Sequence, residues 1–221
     1  MSNFRTNIVE LFTAQGFERT SLPISTPIVI HGVAGSGKTR ILEDVLDKFP
    51  VSVYSNIPKP KRFNGRNFTE KIAGALIVDE YQLGFTDDNS ILVGDCFQPG
   101  HISRPAHFLS LKSFRFGSVT AQHLSNILGL PVVGNSEIQD KIEVLPLFEA
   151  ELEGAVFCSS EDTCNLLESH QVKHYHKDCV QGATFNTVTV VAEDRELSSL
   201  TIPERYVLQS RHRQTLRILC P

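Results

Sequence analysis

Residues 31–40 read HGVAGSGKTR, following the apolar run TPIVI at 26–30 and preceding ILEDVLDKF at 41–49. Within this stretch the spacing G-x-x-x-x-G-K-[ST] is filled by Gly32, Gly37, Lys38 and Thr39, with Val33, Ala34, Gly35 and Ser36 between them. Glycine has no Cβ, so such a backbone can wrap closely around an anion. Its N–H groups and the N-terminus of the next helix then face the charge. In a loop of this kind the lysine reaches the β- and γ-phosphates of a nucleotide, and the Thr39 hydroxyl ligates Mg2+. The flanks agree. Ile28 to Ile30 is a β-branched run of buried-strand type, while Ile41, Leu42, Val45, Leu46 and Phe49 recur at helical spacing. Residues 32–39 are therefore the expected nucleotide-binding loop.

Outward from the loop, strand-like and helix-like segments alternate. Residues 4–16 predict a helix burying Phe4, Ile8, Leu11 and Phe12. VSVYS (51–55), GALIVDEY (74–81) and ILVGD (91–95) read as strands. The pattern restarts around 117–135. GAVFCSS (154–160) reads as a strand, SEDTCNLLESH (160–170) as a helix capped by Ser160 or its neighbour, and TVTVVAED (187–194) as a strand. PERYVLQSRHR (203–213) reads as a helix with Pro203 in its first turn, and TLRILC (215–220) as a closing strand. This alternation predicts an α/β protein of parallel sheets with crossover helices, in two small lobes, 1–117 and 118–221.

Hydrophobic content of 41% and charged content of 21% leave room for a core and argue against a disordered chain. A net charge of −4 excludes a uniformly basic surface, so any polyanion site must be a local patch. No apolar run reaches the length of a membrane span, and MSNFRTNIVE lacks a signal-peptide core, so no transmembrane segment is expected. Cys96, Cys158, Cys164, Cys179 and Cys220 form no C-x-x-C pair and read as reduced thiols of a cytosolic protein.

Two basic stretches stand out. PKPKRFNGRNF (58–68) carries Lys59, Lys61, Arg62 and Arg66, and RYVLQSRHRQTLR (205–217) carries Arg205, Arg211, Arg213 and Arg217. Each is either a solvated charged face or a binding patch. Phe63 and Phe68 either stack on bases or pin a loop to the core. HQVKHYHKDC (170–179) gathers His170, His174, His176, Asp178 and Cys179, as a metal site or as solvated imidazoles.

Downstream of the loop, LIVDEY places Asp79 and Glu80 at the end of an apolar strand. One acid there can hold Mg2+, and a second can polarise an attacking water. LVGDCFQ ends a third apolar strand in Asp95 with Gln98 three residues on, a position from which a glutamine can orient water or sense a γ-phosphate. SFRFG sets Arg115 between aromatics, VQGATF holds Gln181, Gly182 and Thr184, and LQSRH holds Arg211, read as lying on the last helix.

The ordered series GVAGSGKT, VDEY, GDCFQ, SFRFG, VQGATF and LQSRH resembles the superfamily 1 helicases of positive-strand RNA viruses, over about 30–213. Among these it is similar to the compact first triple-gene-block movement proteins of potexvirus- and carlavirus-like plant viruses. The resemblance implies two RecA-like lobes of a P-loop NTPase, with ATP or another NTP and Mg2+ as cofactors. It implies that Gly37, Lys38 and Thr39 bind triphosphate and metal, that Asp79 holds the metal, and that Glu80 activates water. Gln98 would report on the γ-phosphate, and Arg115 and Arg211 would act as arginine fingers. Gly182 and Thr184 would couple nucleotide state to RNA, beside Lys59, Lys61, Arg62 and Arg66 as RNA-binding candidates. Partners by resemblance are single-stranded viral RNA, other viral movement proteins and coat protein, with self-association. The setting is host cytoplasm, with plasmodesmata or endomembranes, and the roles are viral RNA movement between cells and suppression of RNA silencing. Cys96 stands where the family usually has proline, and Gln209 and Ser210 precede Arg211 where it usually has leucine and threonine. ATP hydrolysis is the expectation and strand unwinding is left open. The competing reading is an RNA-binding, membrane-remodelling scaffold whose nucleotide site is only a conformational switch.

Overall fold

The computed structural model describes residues 2–59 (backbone alone at 2–5), 66–70, 74–84, 86 and 91–221. The chain divides into two compact units, Met1–Lys112 and Ser113–Pro221. The division falls five residues before the boundary expected from the sequence, because Ser113 already bonds into the second unit through Val133 O at 2.8 Å.

In the first unit the elements run α1 (Ser2–Ala14), β1 (Glu18–Arg19), β2 (Ile28–Gly32), α2 (Lys38–Lys48), β3 (Val53–Ser55), β4 (Ile77–Asp79), β5 (Ile91–Gly94) and β6 (Phe108–Ser110). They form a 6-stranded sheet in the order β1-β6-β2-β5-β4-β3. Every pairing is parallel except β1 with β6. α2 buries Ile41, Leu42, Val45 and Leu46. These pack with Ile28, Ile30, Ile77, Ile91 and Val93 of the sheet and with Ile8, Phe12 and Phe17 from the N-terminal segment. Each such side chain is worth about 1.5–3 kcal/mol of burial, so the helix is held where it begins, at the end of β2. α1 covers the expected N-terminal helix; of its four expected core residues, Ile8 and Phe12 are buried and Leu11 partly so, while the Phe4 side chain lies outside the described residues. The strands β1 and β6 had no expectation, being short segments of two and three residues.

The second unit carries α3 (Ser118–Leu128), β7 (Lys141–Pro146), β8 (Ala155–Cys158), α4 (Glu161–Ser169), β9 (Tyr175–His176), β10 (Phe185–Val191), α5 (Ile202–Gln209) and β11 (His212–Cys220). Its sheet is 5-stranded and parallel, in the order β7-β11-β10-β8-β9. Ser160 caps α4 in a capping box with Thr163, and Thr201 N donates to Glu204 Oε2 at 2.9 Å to open α5. Two RecA-like parallel-sheet lobes are thus present.

Two expectations are corrected here. Cys158, at the end of β8, and Cys164, on the second turn of α4, are joined as a disulfide across a Cα–Cα distance of 5.1 Å, so only Cys96, Cys179 and Cys220 are free thiols. The strand-to-helix turn brings the two together across five intervening residues, a spacing that carries no sequence signature. α5 also ends at Gln209, so Arg211 lies between helix and strand and Arg213 lies on β11, rather than on the last helix.

Candidate nucleotide site

β2 ends at Gly32, and α2 starts six residues later. The turn between them requires two left-handed residues, Gly35 at φ 79 and Gly37 at φ 88. A Cβ on Gly32 would fall 2.3 Å from Ser36 Oγ and 2.9 Å from the Phe17 ring, so the loop closes tightly only without one. Inside it the ammonium of Lys38 donates to Gly32 O at 2.7 Å and Val33 O at 3.2 Å. The Ser36 hydroxyl is buried with no hydrogen-bond partner among the described residues. A buried hydroxyl without a partner is costly, and a phosphate oxygen would satisfy it.

The strand register sets the acids beside this loop. His31 pairs with Gly94, and Asp79 pairs with Val93 on the other side of β5. Asp79 is fully buried. Its Oδ2 meets Lys59 Nζ at 3.1 Å and Ser55 Oγ at 3.5 Å, whereas Oδ1 has no partner among the described residues. Burial, then the adjacent Glu80, push the Asp79 carboxyl above the usual carboxylate range, against the pull of Lys59 and Lys38. Lys59 Nζ also lies 3.4 Å from Thr39 Oγ1. A hydroxyl and a carboxylate with a buried open oxygen are hard donors that fit Mg2+.

Glu80 is buried and adopts left-handed backbone, φ 50 and ψ 41. Gln82 Nε2 donates to Glu80 Oε2 at 2.8 Å, and Asn56 Nδ2 to Glu80 O at 3.3 Å. Gln98 Nε2 donates to Asp95 Oδ2 at 2.8 Å, which leaves Gln98 Oε1 buried and unpartnered among the described residues. His31 Nε2 is 2.7 Å from the Tyr81 hydroxyl, and the two rings stack. Burial, then Lys38, draw the His31 pKa down to about 4. Gln82, Asn56 and the His31–Tyr81 pair were not singled out from the sequence as site residues. The available signal for Gln82 was its place two residues after Glu80 in VDEYQ.

In the second unit Arg115 Nη1 donates to Ser210 O at 3.0 Å, and Arg211 Nη2 donates to Ser210 Oγ at 2.7 Å. Arg211 Nε further caps α5 through Val207 O at 3.2 Å. The two arginines are thus brought together on one residue, 95 positions from Arg115. Gly182 (φ 74) and Thr184 lie in the turn that enters β10.

Of the first basic stretch, Lys59 meets Asp79 beside the loop, and the exposed Arg66 donates through Nη1 to Phe49 O at 2.9 Å, at the end of α2. Lys61, Arg62 and Phe63 lie outside the described residues. Phe68 packs against the first unit's core. In the tail, Arg205 bonds to Leu200 O and Ser198 O, and Arg217 is buried between Glu143 and Glu153. With Arg211 also buried, Arg213 alone of the four tail arginines is exposed. For the tail, neither one solvated face nor one patch describes the four arginines, because guanidinium groups removed from water must find carbonyls or carboxylates. Of the histidine-rich stretch, His174 clusters with Cys158 and Cys164, whose sulfurs are already bonded to each other; His170, His176, Asp178 and Cys179 are not part of the cluster. No helix among the described residues is long and apolar enough to cross a membrane.

Comparison with known proteins bears on the family and the fold. Residues 28–220 match the viral superfamily 1 RNA helicase core domain. The chain is 32% identical over 219 residues to the movement and silencing protein TGBp1 of Apple stem pitting virus, covering 95% of this chain and 96% of the relative. It is 31% identical over 235 residues to the same-named protein of Lily symptomless virus, covering 97% and 96%. Among solved structures it is similar to the arterivirus helicase nonstructural protein 10 in complex with DNA, with a TM-score of 0.60 at 20% identity. That match covers 98% of this chain and 63% of the arterivirus protein.

Proposed function

Because the chain belongs to the viral superfamily 1 RNA helicase core family, and within it to the TGBp1 movement and silencing proteins, we propose that it is an RNA-binding NTPase acting in cell-to-cell movement of viral RNA in the host cytoplasm. The observation that carries this reading is a group of buried oxygens with no hydrogen-bond partner among the described residues, including Ser36 Oγ in the loop, Asp79 Oδ1 and Gln98 Oε1. Buried polar atoms are seldom left without a partner, and a bound nucleotide with its hydrating water would satisfy all three.

Thr39 and Asp79 would hold Mg2+, which supplies charge neutralisation on the phosphates. Lys38 exchanges the carbonyls of Gly32 and Val33 for phosphate oxygens, and the loop N–H groups cradle the rest. Glu80, held by Gln82, accepts a proton as water attacks the γ-phosphorus and the bond to the β-phosphate oxygen breaks. Gln98 Oε1 orients that water. For Arg115 and Arg211 the proposed role is guanidinium charge for the transferred phosphoryl group. Gly182, Thr184 and the 59–66 stretch remain the RNA-binding candidates, with single-stranded viral RNA and the other viral movement proteins and coat protein as partners, and silencing suppression is proposed from the relatives' names. The test is ATP turnover by purified protein with and without single-stranded RNA. Turnover that rises with RNA supports the reading, and no turnover in either condition overturns it.

A further inference from the structure

Lys59 Nζ lies 3.1 Å from Asp79 Oδ2 and 3.4 Å from Thr39 Oγ1. These are side chains of the two residues to which the proposed function gives a divalent cation. An ammonium that bridges a fully buried carboxylate and the loop's threonine hydroxyl stands where that cation would stand. We propose that Lys59 is a built-in substitute for the metal: its ammonium fills the cation position of the nucleotide-free site and is displaced when Mg2+ arrives with the nucleotide. The proposal rests on the nucleotide-binding reading given above.

Three features support it. Asp79 is fully buried, and a carboxylate in such a place needs a positive partner. Lys59 is that partner among the described residues. Second, an ammonium and Mg2+ both held between the Asp79 carboxylate and Thr39 would repel strongly at a few ångströms. Third, Lys59 sits on a segment moored to the same strand ends. Asn56 N donates to Asp79 O at 3.1 Å, and Ile57 N to Ser55 Oγ at 3.3 Å. Exchange of cations would therefore free the Lys59 side chain while Asn56 and Ile57 stay moored.

The experiment compares wild type with Lys59→Met and Lys59→Gln, the second guarding against misfolding of the first. Two readouts are used: thermal melting of nucleotide-free protein against Mg2+ concentration, and the Mg2+ dependence of binding a fluorescent non-hydrolysable ATP analogue. Removal of the competing ammonium should lower the Mg2+ concentration for half-maximal analogue binding by about five- to tenfold. Mg2+ alone should raise the melting temperature of either variant and leave that of the wild type nearly unchanged, because only the variants leave Asp79 without a cation. An unchanged or increased Mg2+ requirement in both variants would overturn the proposal, as would failure of Mg2+ alone to stabilise them. If wild type binds no analogue at any Mg2+ concentration, the nucleotide reading falls, while the melting experiment still decides whether Lys59 substitutes for a divalent cation.

Discussion

The Gln82 side-chain amide donates to Glu80 Oε2 at 2.8 Å, two residues away across a backbone in which Glu80 is left-handed. A non-glycine residue in that conformation costs about 1–2 kcal/mol, so Glu80 is held against a local preference. A Cβ on Gly94 would come within 2.3 Å of Gln82 Oε1 and 3.0 Å of Tyr81, so β5 leaves just enough room for the pair. Glu80→Gln should keep nucleotide affinity within a few-fold and lower turnover by about a hundredfold. Gln82→Ala should lower turnover by about tenfold, with KM for ATP little changed, because the carboxylate remains but is no longer aimed. Steady-state kinetics with an equilibrium binding titration decides between this and a structural role, in which binding and turnover would fall together.

Lys38 is buried, and its ammonium bonds only the loop's own carbonyls in the contacts described above. Lys38→Ala should abolish measurable ATP turnover. Apo stability should change by about 1–3 kcal/mol at most, the worth of hydrogen bonds from a charged donor. Retained turnover would remove the phosphate-binding assignment of residues 32–39; collapse of the melting transition would make the lysine structural first.

His31 and His212 are both held to pKa values of about 4, each chiefly by burial. Since the unfolded value is near 6.5, the unfolded chain takes up protons between pH 6.5 and 4 that the folded chain refuses. Their contribution to stability is complete above pH 6.5 and is lost as pH falls toward 4, by up to about 1.4 kcal/mol per pH unit for each histidine. Between pH 7 and 5.5, above the usual carboxylate range, protonation of the two histidines on unfolding should therefore lower the melting temperature. The decline should be shallower in His31→Gln and His212→Gln, and a flat wild-type profile would contradict the burial of both rings.

Arg211 and Arg213 make a matched comparison, one buried and bonded to Val207 and Ser210, the other exposed on β11. Arg211→Ala should cost about 1–3 kcal/mol of stability and, at saturating ATP and RNA, cut turnover by about a thousandfold. Arg213→Ala should shift stability by under about 0.5 kcal/mol and at most weaken RNA binding, with a smaller salt dependence. Equal effects on turnover would leave Arg211 without a special part in phosphoryl transfer.

Much of the fold was legible because its signals are local. Gly32, Gly35 and Gly37 around Lys38 need only each other to define the loop. The apolar spacing of Ile41, Leu42, Val45 and Leu46 defines the helix after it, and Ser160 with Thr163 caps α4 within one turn. The strands β1, β6 and β9 escaped because two or three residues are too few to show a period, and β7 escaped although it is longer, being half-exposed along its length.

The sequence by itself determined the order of the chemical groups: loop, paired acids, glutamine, one arginine ahead of the second set of strands and another just ahead of its last strand. Only the tertiary structure decided what the described basic residues of these runs contact. Lys59 finds Asp79 at a separation of 20 residues, and Arg217 finds Glu151 at 66 and Glu143 and Glu153 beside it. Charges that neighbour one another along the chain look like a patch. On folding, each guanidinium or ammonium that leaves water must be met by an acceptor supplied from elsewhere in the fold. Among the described residues the like-charged runs therefore come apart, Lys59 meeting Asp79, Arg205 and Arg217 fastening helix and strand, and Arg66 and Arg213 staying exposed. The cysteine pair follows the same logic, since Cys158 and Cys164 meet only because β8 and α4 turn back on each other.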